Sequence, residues 1–137
     1  MVVPEFNWIA IVAAVVAAMA LGFFWFSPVG FMKQWMRGIE KTPEQVHRKS
    51  PVLPLSIMVV MTLISVIGIA TLWDWMGRDG IVGGLIAGAF LWVFAILPVK
   101  LNDVNFEGRP FILFPVSAGF YLLNYLLMGA VIGAIGV

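Results

Sequence analysis

The sequence predicts an all-helical membrane protein, a bundle of four transmembrane helices in one domain that covers residues 1–137. Hydrophobic residues make up 62% of the chain and charged residues only 11%, whereas soluble domains are about half apolar and a quarter charged. The charged residues also divide the chain into four uncharged runs. Each run reaches the roughly 20 residues that a helix needs to cross the hydrocarbon core of a bilayer.

Each apolar run is predicted to be a helix, because backbone N–H and C=O groups inside lipid must pair within their own segment. The predicted spans cover residues 8–26, 52–73, 81–98 and 114–136. Loops at residues 27–51 and 99–113 join the first span to the second and the third to the fourth. Within the first loop, residues 31–39 are amphipathic and predict a short helix that lies in the membrane interface.

The cations predict the orientation of the chain. The two loops hold seven of the eight Lys and Arg residues, and the turn between the second and third spans holds only Arg78. Because cytoplasmic loops carry an excess of Lys and Arg, we expect both loops inside the cell and both termini on the non-cytoplasmic side. The predicted location is the cell membrane, as a multi-pass protein, with a bacterial inner membrane expected.

The basic residues of the first loop are also candidates for contact with anionic lipid headgroups. Charge that only sets the topology is the simpler interpretation of the same residues. The bilayer is the expected partner, and a net charge of +1 gives no reason to expect nucleic acid. The candidate lipid contacts are Lys33, Arg37, Lys41, Arg48 and Lys49.

Small residues repeat at every fourth position in three of the spans. Such a face lets two helix backbones approach closely and gain dispersion contacts. We expect the first and third spans to pack against each other through these faces, or one of them to pair with another chain. The candidate packing residues are Ala10, Ala14, Ala18, Gly22, Gly80, Gly84, Gly88, Gly129 and Gly133.

The fourth span carries the best candidate for a ligand site. Ser117, Tyr121 and Asn124 are spaced i, i+4 and i+7 and share one helix face. A polar side chain inside the membrane is costly without a partner, so this stripe should face protein or a small wet cavity. Interhelical hydrogen bonds are the simpler interpretation. The hydroxyls of the second span are expected to bond back to their own helix; they belong to Ser56, Thr62, Ser65 and Thr71.

No metal site, cofactor or catalytic group is predicted. The chain has no cysteine, and His47 is the only histidine, so the usual zinc ligand sets are missing. Residues 103–108 imitate the start of a calcium-binding loop. The twelfth position of that loop is Phe114, where a bidentate glutamate is required, and calcium is therefore not expected.

Several short stretches are similar to a known family of small four-span membrane proteins. The similarity covers nearly the whole chain, and the family is catalogued as domain of unknown function 1761. The resemblance implies the four-span layout but no activity, and Phe26 stands where the family pattern is expected to have tyrosine. The stretches are residues 7–8 (NW), 21–28 (LGFFWFSP), 33–36 (KQWM), 106–110 (FEGRP) and 128–133 (MGAVIG).

Three classes of function are compatible with these features. A structural or accessory subunit, as a homo-oligomer or within a larger membrane complex, accounts for the small-residue faces and is the leading hypothesis. A small-molecule transporter or channel is the alternative, although the spans have no central ionisable group and no predicted helix break. A membrane-embedded enzyme acting on a lipid-like substrate would need clustered acids, bases or metal ligands, and the loops hold only scattered carboxylates.

Overall fold

The computed structural model describes residues 6–27, 30, 33–34, 37, 52–77, 79–108 and 110–136, without the side chains of Pro54, Glu107 and Leu113. These residues form helices α1 (Trp8–Trp25), α2 (Val52–Trp75), α3 (Gly80–Leu91), a π-helical segment (Trp92–Ile96), α4 (Leu97–Glu107) and α5 (Leu113–Ile135).

Four helical stretches are long and apolar enough to cross a membrane, and no strand occurs in the described part of the chain. They are Trp8–Trp25, Leu55–Trp75, Gly80–Phe106 and Phe114–Ile135. The all-helical, four-span architecture predicted from the sequence is thereby confirmed.

The third span is longer than the sequence predicts. Its 27 residues, Gly80–Phe106, include α3, the π segment and most of α4. At about 1.5 Å per residue this rod is about 40 Å long, against about 30 Å for the hydrocarbon core. Much of the segment predicted as a loop is therefore helical, up to Glu107, and Gly108 ends the helix with a φ of 66°. The charge of Lys100 opposes burial in lipid but does not oppose helix formation.

The π-helical segment interrupts the third span, where no break was predicted. Pro98 lies just after this segment, as the second residue of α4. A proline in a regular helix has no N–H to donate, and its ring collides with the carbonyl group four residues earlier, here that of Phe94. The wider π turn gives this carbonyl group room, so the rod continues as a helix instead of ending.

Consecutive spans pack antiparallel to each other, and the most extensive contact between two helices joins α3 to α5. Helix α1 packs mainly against α5 and α2, rather than against α3. The small-residue face of α3 therefore meets the fourth span and not the first. The repeating pattern had identified close-approach faces but carried no information about which face meets which.

The hydrophobic core lies mainly in the half of the bundle where α1 starts and α5 ends. Helix α2 illustrates this asymmetry, because Val66, Ile69, Ala70 and Trp73 form a buried stripe in its second half. The first half of α2 contributes no residue to the core. From α1 and α5 the core includes Ala10, Ile11, Ala14, Ala18, Met128 and Ile132.

Asn7 joins the two ends of the described chain. Its side-chain oxygen accepts a hydrogen bond from the backbone N–H of Ile9 at 3.1 Å, which caps the first turn of α1. Its side-chain nitrogen donates to the carbonyl oxygen of Gly136 at 3.4 Å, just after α5. The start of the first span and the end of the fourth span are thus held on the same side of the bundle.

Candidate functional site

Glycines bring the backbones of α3 and α5 into direct contact. Gly84 lies against Gly129, Gly88 against the backbone of Tyr125, and Gly133 against Gly80. A Cβ atom at Gly84 would overlap the carbonyl oxygen of Gly129. This close packing fixes the rotation of α5 and hence the direction in which its polar side chains point.

Two tryptophans hold α5 from opposite neighbours. The indole N–H of Trp25 on α1 donates to the carbonyl oxygen of Val116 at 3.0 Å, and that of Trp92 donates to the carbonyl oxygen of Ala118 at 2.9 Å. The hydrogen bond of Trp92 adds a directional contact between the π-helical segment and the first turns of α5.

Trp73 has a similar role at the other end of the bundle. Trp8 and Trp75 are exposed, but Trp73 is buried and its indole N–H donates to the carbonyl oxygen of Gly80 at 3.1 Å. This bond links the end of α2 to the start of α3.

A hydrogen bond between two hydroxyls links α2 and α5 near the middle of the bundle. The oxygens of Ser65 and Tyr125 are 3.2 Å apart, and either can be the donor. Ser56 and Thr71 bond to carbonyl groups of their own helix, as predicted for hydroxyls of this span, but Ser65 does not. Sequence reasoning missed this pair, because nothing in either span indicates that these two hydroxyls meet.

Tyr121, one turn before Tyr125, extends the same polar region toward the start of α5. The Lys100 ammonium group of α4 lies 5.0 Å from the centroid of the Tyr121 ring, a cation–π geometry. The rings of Tyr121 and Tyr125 meet edge to face at 6.5 Å. A cation that the sequence assigned to a loop therefore contacts the polar stripe of the fourth span.

Asn124 is the only buried polar or charged side chain within the described ranges, with an exposed fraction of 6%. Its side-chain oxygen has no hydrogen-bond partner. No hydrogen bond joins Asn124 to Ser117 or Tyr121, the other members of the predicted stripe, and Ser117 is half-buried. The interhelical hydrogen bond expected of this helix is therefore made by Tyr125, while the Asn124 oxygen is left without a donor.

The predicted lipid-contact residues are only partly described. Lys33, Gln34 and Arg37 are helical and lie within the stretch predicted as an interfacial helix. Lys33 and Arg37 are exposed, and Gln34 is half-buried. The remaining candidates, Lys41, Arg48 and Lys49, lie outside the described residues.

A family model described as a protein of unknown function, DUF1761, matches residues 9–133. The chain belongs to this family. No curated protein and no solved structure matches it. The family description names no activity. The chemistry of the polar region around Ser65, Asn124 and Tyr125 therefore follows from these side chains themselves.

These side chains favour binding through hydrogen bonds over acid–base or metal chemistry. Within the residues that the structure describes, no three His, Cys, Asp or Glu side chains cluster as metal ligands would. The centre of the DUF1761 bundle instead has the hydroxyls of Ser65 and Tyr125 and the unpartnered oxygen of Asn124. Hydroxyl and carboxamide groups can form hydrogen bonds to an uncharged molecule, and the carboxamide of Asn124 does not titrate.

Proposed function

We propose that this DUF1761 protein is an accessory subunit of a membrane assembly, and that the first half of α2 is the surface that a partner helix covers. The supporting observation is the exposure of that half-helix. All six residues from 56 to 61 are exposed. Six consecutive residues cover the whole circumference of a helix of 3.6 residues per turn, so this part of α2 has little contact with the other helices that the structure describes.

The small-residue faces do not offer an equivalent surface. Gly84 and Gly129 are occupied by each other, and Ala14 and Ala18 of α1 are buried. The expectation that a second chain assembles through these faces therefore gives way to assembly through α2. There the exposed side chains are large and apolar.

A partner helix suits this surface better than lipid chains do. The second half of α2 is buried in the bundle, whereas residues 56–61 of the first half are exposed. A rigid helix laid against this exposed apolar surface gains dispersion contacts along its length without losing the conformational freedom that ordered lipid chains lose. Met58 and Met61 are exposed on this half-helix, and methionine adapts its shape to varied partner surfaces.

Photo-crosslinking in native membranes tests this proposal. With p-benzoylphenylalanine in place of Ile57 on α2, which is 53% exposed, we expect discrete protein adducts. The matched control carries the same group at Phe23 of α1, which is 58% exposed and is expected to give lipid adducts only. An adduct of twice the chain mass identifies a homo-oligomer, and any other single mass identifies a different subunit. Equal protein adducts at both positions, or none at Ile57, would overturn the proposal.

We also propose a cell-membrane location with both termini on the non-cytoplasmic side, in a bacterial inner membrane. Among the described residues, Lys33 and Arg37 follow the end of α1 and Lys100 lies in α4, all toward the side of the bundle opposite the start of α1. Asp74, in the last turn of α2, and Asp79, just before α3, lie toward the side where α1 starts and α5 ends. An excess of cations on one side supports a cytoplasmic position for that side.

Labelling of single cysteines tests this orientation, since the natural chain has no cysteine. Arg37 and Asp79 are both exposed. With an impermeant maleimide applied to intact cells, we expect Asp79→Cys to be labelled and Arg37→Cys to be labelled only after the cells are opened. The reverse pattern would mean that the chain is inserted the other way round.

A further inference from the structure

We infer that Asn124 is the acceptor of a buried binding site in the centre of the bundle, and that this site takes a small uncharged hydrogen-bond donor. The site does not depend on the proposed accessory role, because it lies inside a single chain. Water is the smallest molecule of this class, and small alcohols and amides share its chemistry.

An unpaired carboxamide oxygen at Asn124 raises the free energy of the folded bundle. Asn124 is 94% buried, from an exposed fraction of 6%, and its oxygen has no donor within hydrogen-bond distance. An unsatisfied buried acceptor costs about 1–3 kcal/mol. Bulk water, which relieves such a cost at the surface of a soluble protein, is absent from the hydrocarbon core of a bilayer. A bound donor removes the cost.

Asn124 lies deep in the membrane-spanning part of the bundle. Asn124 is the twelfth residue of the 23-residue helix α5 (Leu113–Ile135), so it lies about 16 Å from either end at about 1.5 Å per residue. It is therefore at the midplane of the span. A donor that reaches it is enclosed by the bundle and does not belong to the headgroup region.

The neighbouring helices limit the size of a molecule that binds beside Asn124. Gly22 lies against Phe120 and Trp25 bonds to Val116, and this antiparallel register brings Ala18 to the level of Asn124. From the other helices, Gly88 and Ser65 lie at the level of the next residue, Tyr125. All three neighbouring helices thus present a small residue at this depth. Because small residues bring the backbones close together, a guest beside Asn124 has to be small.

None of the described acidic side chains lies at the depth of Asn124. The described acidic side chains are Asp74, Asp79 and Asp103, and each lies near an end of its span. A cation beside Asn124 would have no carboxylate to pair with at the midplane, which is costly in a membrane. The guest is therefore uncharged, and it donates an O–H or N–H group to the Asn124 oxygen.

Infrared spectroscopy of the side-chain carbonyl group tests this inference directly. The chain has four asparagines, and the variant with Asn7→Asp, Asn102→Asp and Asn105→Asp leaves Asn124 as the only one. Labelling with asparagine that carries ¹³C in the side-chain carbonyl group then gives a single shifted band, without any change to Asn124 itself. In hydrated lipid nanodiscs we expect this band at the lower frequency of a hydrogen-bonded carbonyl group.

Drying distinguishes the two sources of the donor. If the band moves to the frequency of a free carbonyl group on drying and returns on rehydration, the guest is water. If the band stays, a retained organic molecule must appear as added mass in native mass spectrometry of the natural chain and be lost in Asn124→Leu. A free carbonyl frequency in the hydrated sample would overturn the inference. So would a hydrogen-bonded band that neither drying nor mass explains, because the donor would then be the protein.

Discussion

Replacing Gly84 with alanine is expected to destabilise the folded bundle by about 2–3 kcal/mol, in the upper range for overpacked core positions. The added Cβ atom would overlap the carbonyl oxygen of Gly129. Backbone atoms cannot rotate away as a flexible side chain can, and the contacts of Gly88 and Gly133 hold the same two helices on either side. The helices must therefore separate, which removes dispersion contacts along their whole interface. Unfolding in mixed micelles with increasing SDS, followed by tryptophan fluorescence, measures this loss.

Gly68→Ala is the matched control for this substitution. Gly68 also lies inside a transmembrane helix, but a Cβ atom there meets no atom within 4 Å. Alanine is a better helix former than glycine by about 1 kcal/mol, so Gly68→Ala should leave the stability unchanged or raise it. The same chemical change thus has opposite effects in two helices. Equal destabilisation by the two variants would mean that α3 and α5 do not meet at Gly84.

Replacing Met128 with alanine is expected to cost about 2–4 kcal/mol, within the range for large-to-small core substitutions. Met128 is fully buried, with an exposed fraction of 0%, and belongs to the core shared by α1, α2, α3 and α5. Association of helices in lipid depends on packing rather than on transfer of apolar surface out of water. The cavity left by the shortened side chain is therefore the main cause of the loss.

Leu123→Ala on the same helix separates packing from hydrophobicity. Leu123 is 45% exposed, and lipid chains can fill the space that its side chain leaves. We expect a loss below about 1 kcal/mol, as for other surface substitutions, measured by the same SDS titration. A loss at Leu123 equal to that at Met128 would place both side chains in the same environment and contradict the rotation of α5.

The candidate site was predictable in composition but not in arrangement. The sequence identified Asn124 and Tyr121 as polar residues on one face of the fourth span, because their spacing follows the helical period. Their partners lie far away in the chain. The bond between Ser65 and Tyr125 joins residues 60 positions apart, and Lys100 reaches Tyr121 only because α4 continues the third span beyond its predicted end.

The break in the third span shows a similar limit. Pro98 was visible in the sequence, near the predicted end of the span at residue 98. A proline at a helix end needs no adjustment, whereas a proline inside a longer helix does. Only the continuation of α4 to Glu107 makes Pro98 an interior residue and explains the π turn before it.

The sequence by itself determined the number of membrane-spanning helices and the all-helical class. These features follow from a local requirement, since each apolar segment must pair its own backbone groups in lipid whatever its neighbours are. The tertiary structure decided which helices meet. The alanine face of α1 and the glycine face of α3 have the same period, and dispersion between close backbones does not depend on the identity of the partner. Only the joint packing of all four spans brings Gly84 against Gly129 and leaves the Asn124 oxygen buried without a donor.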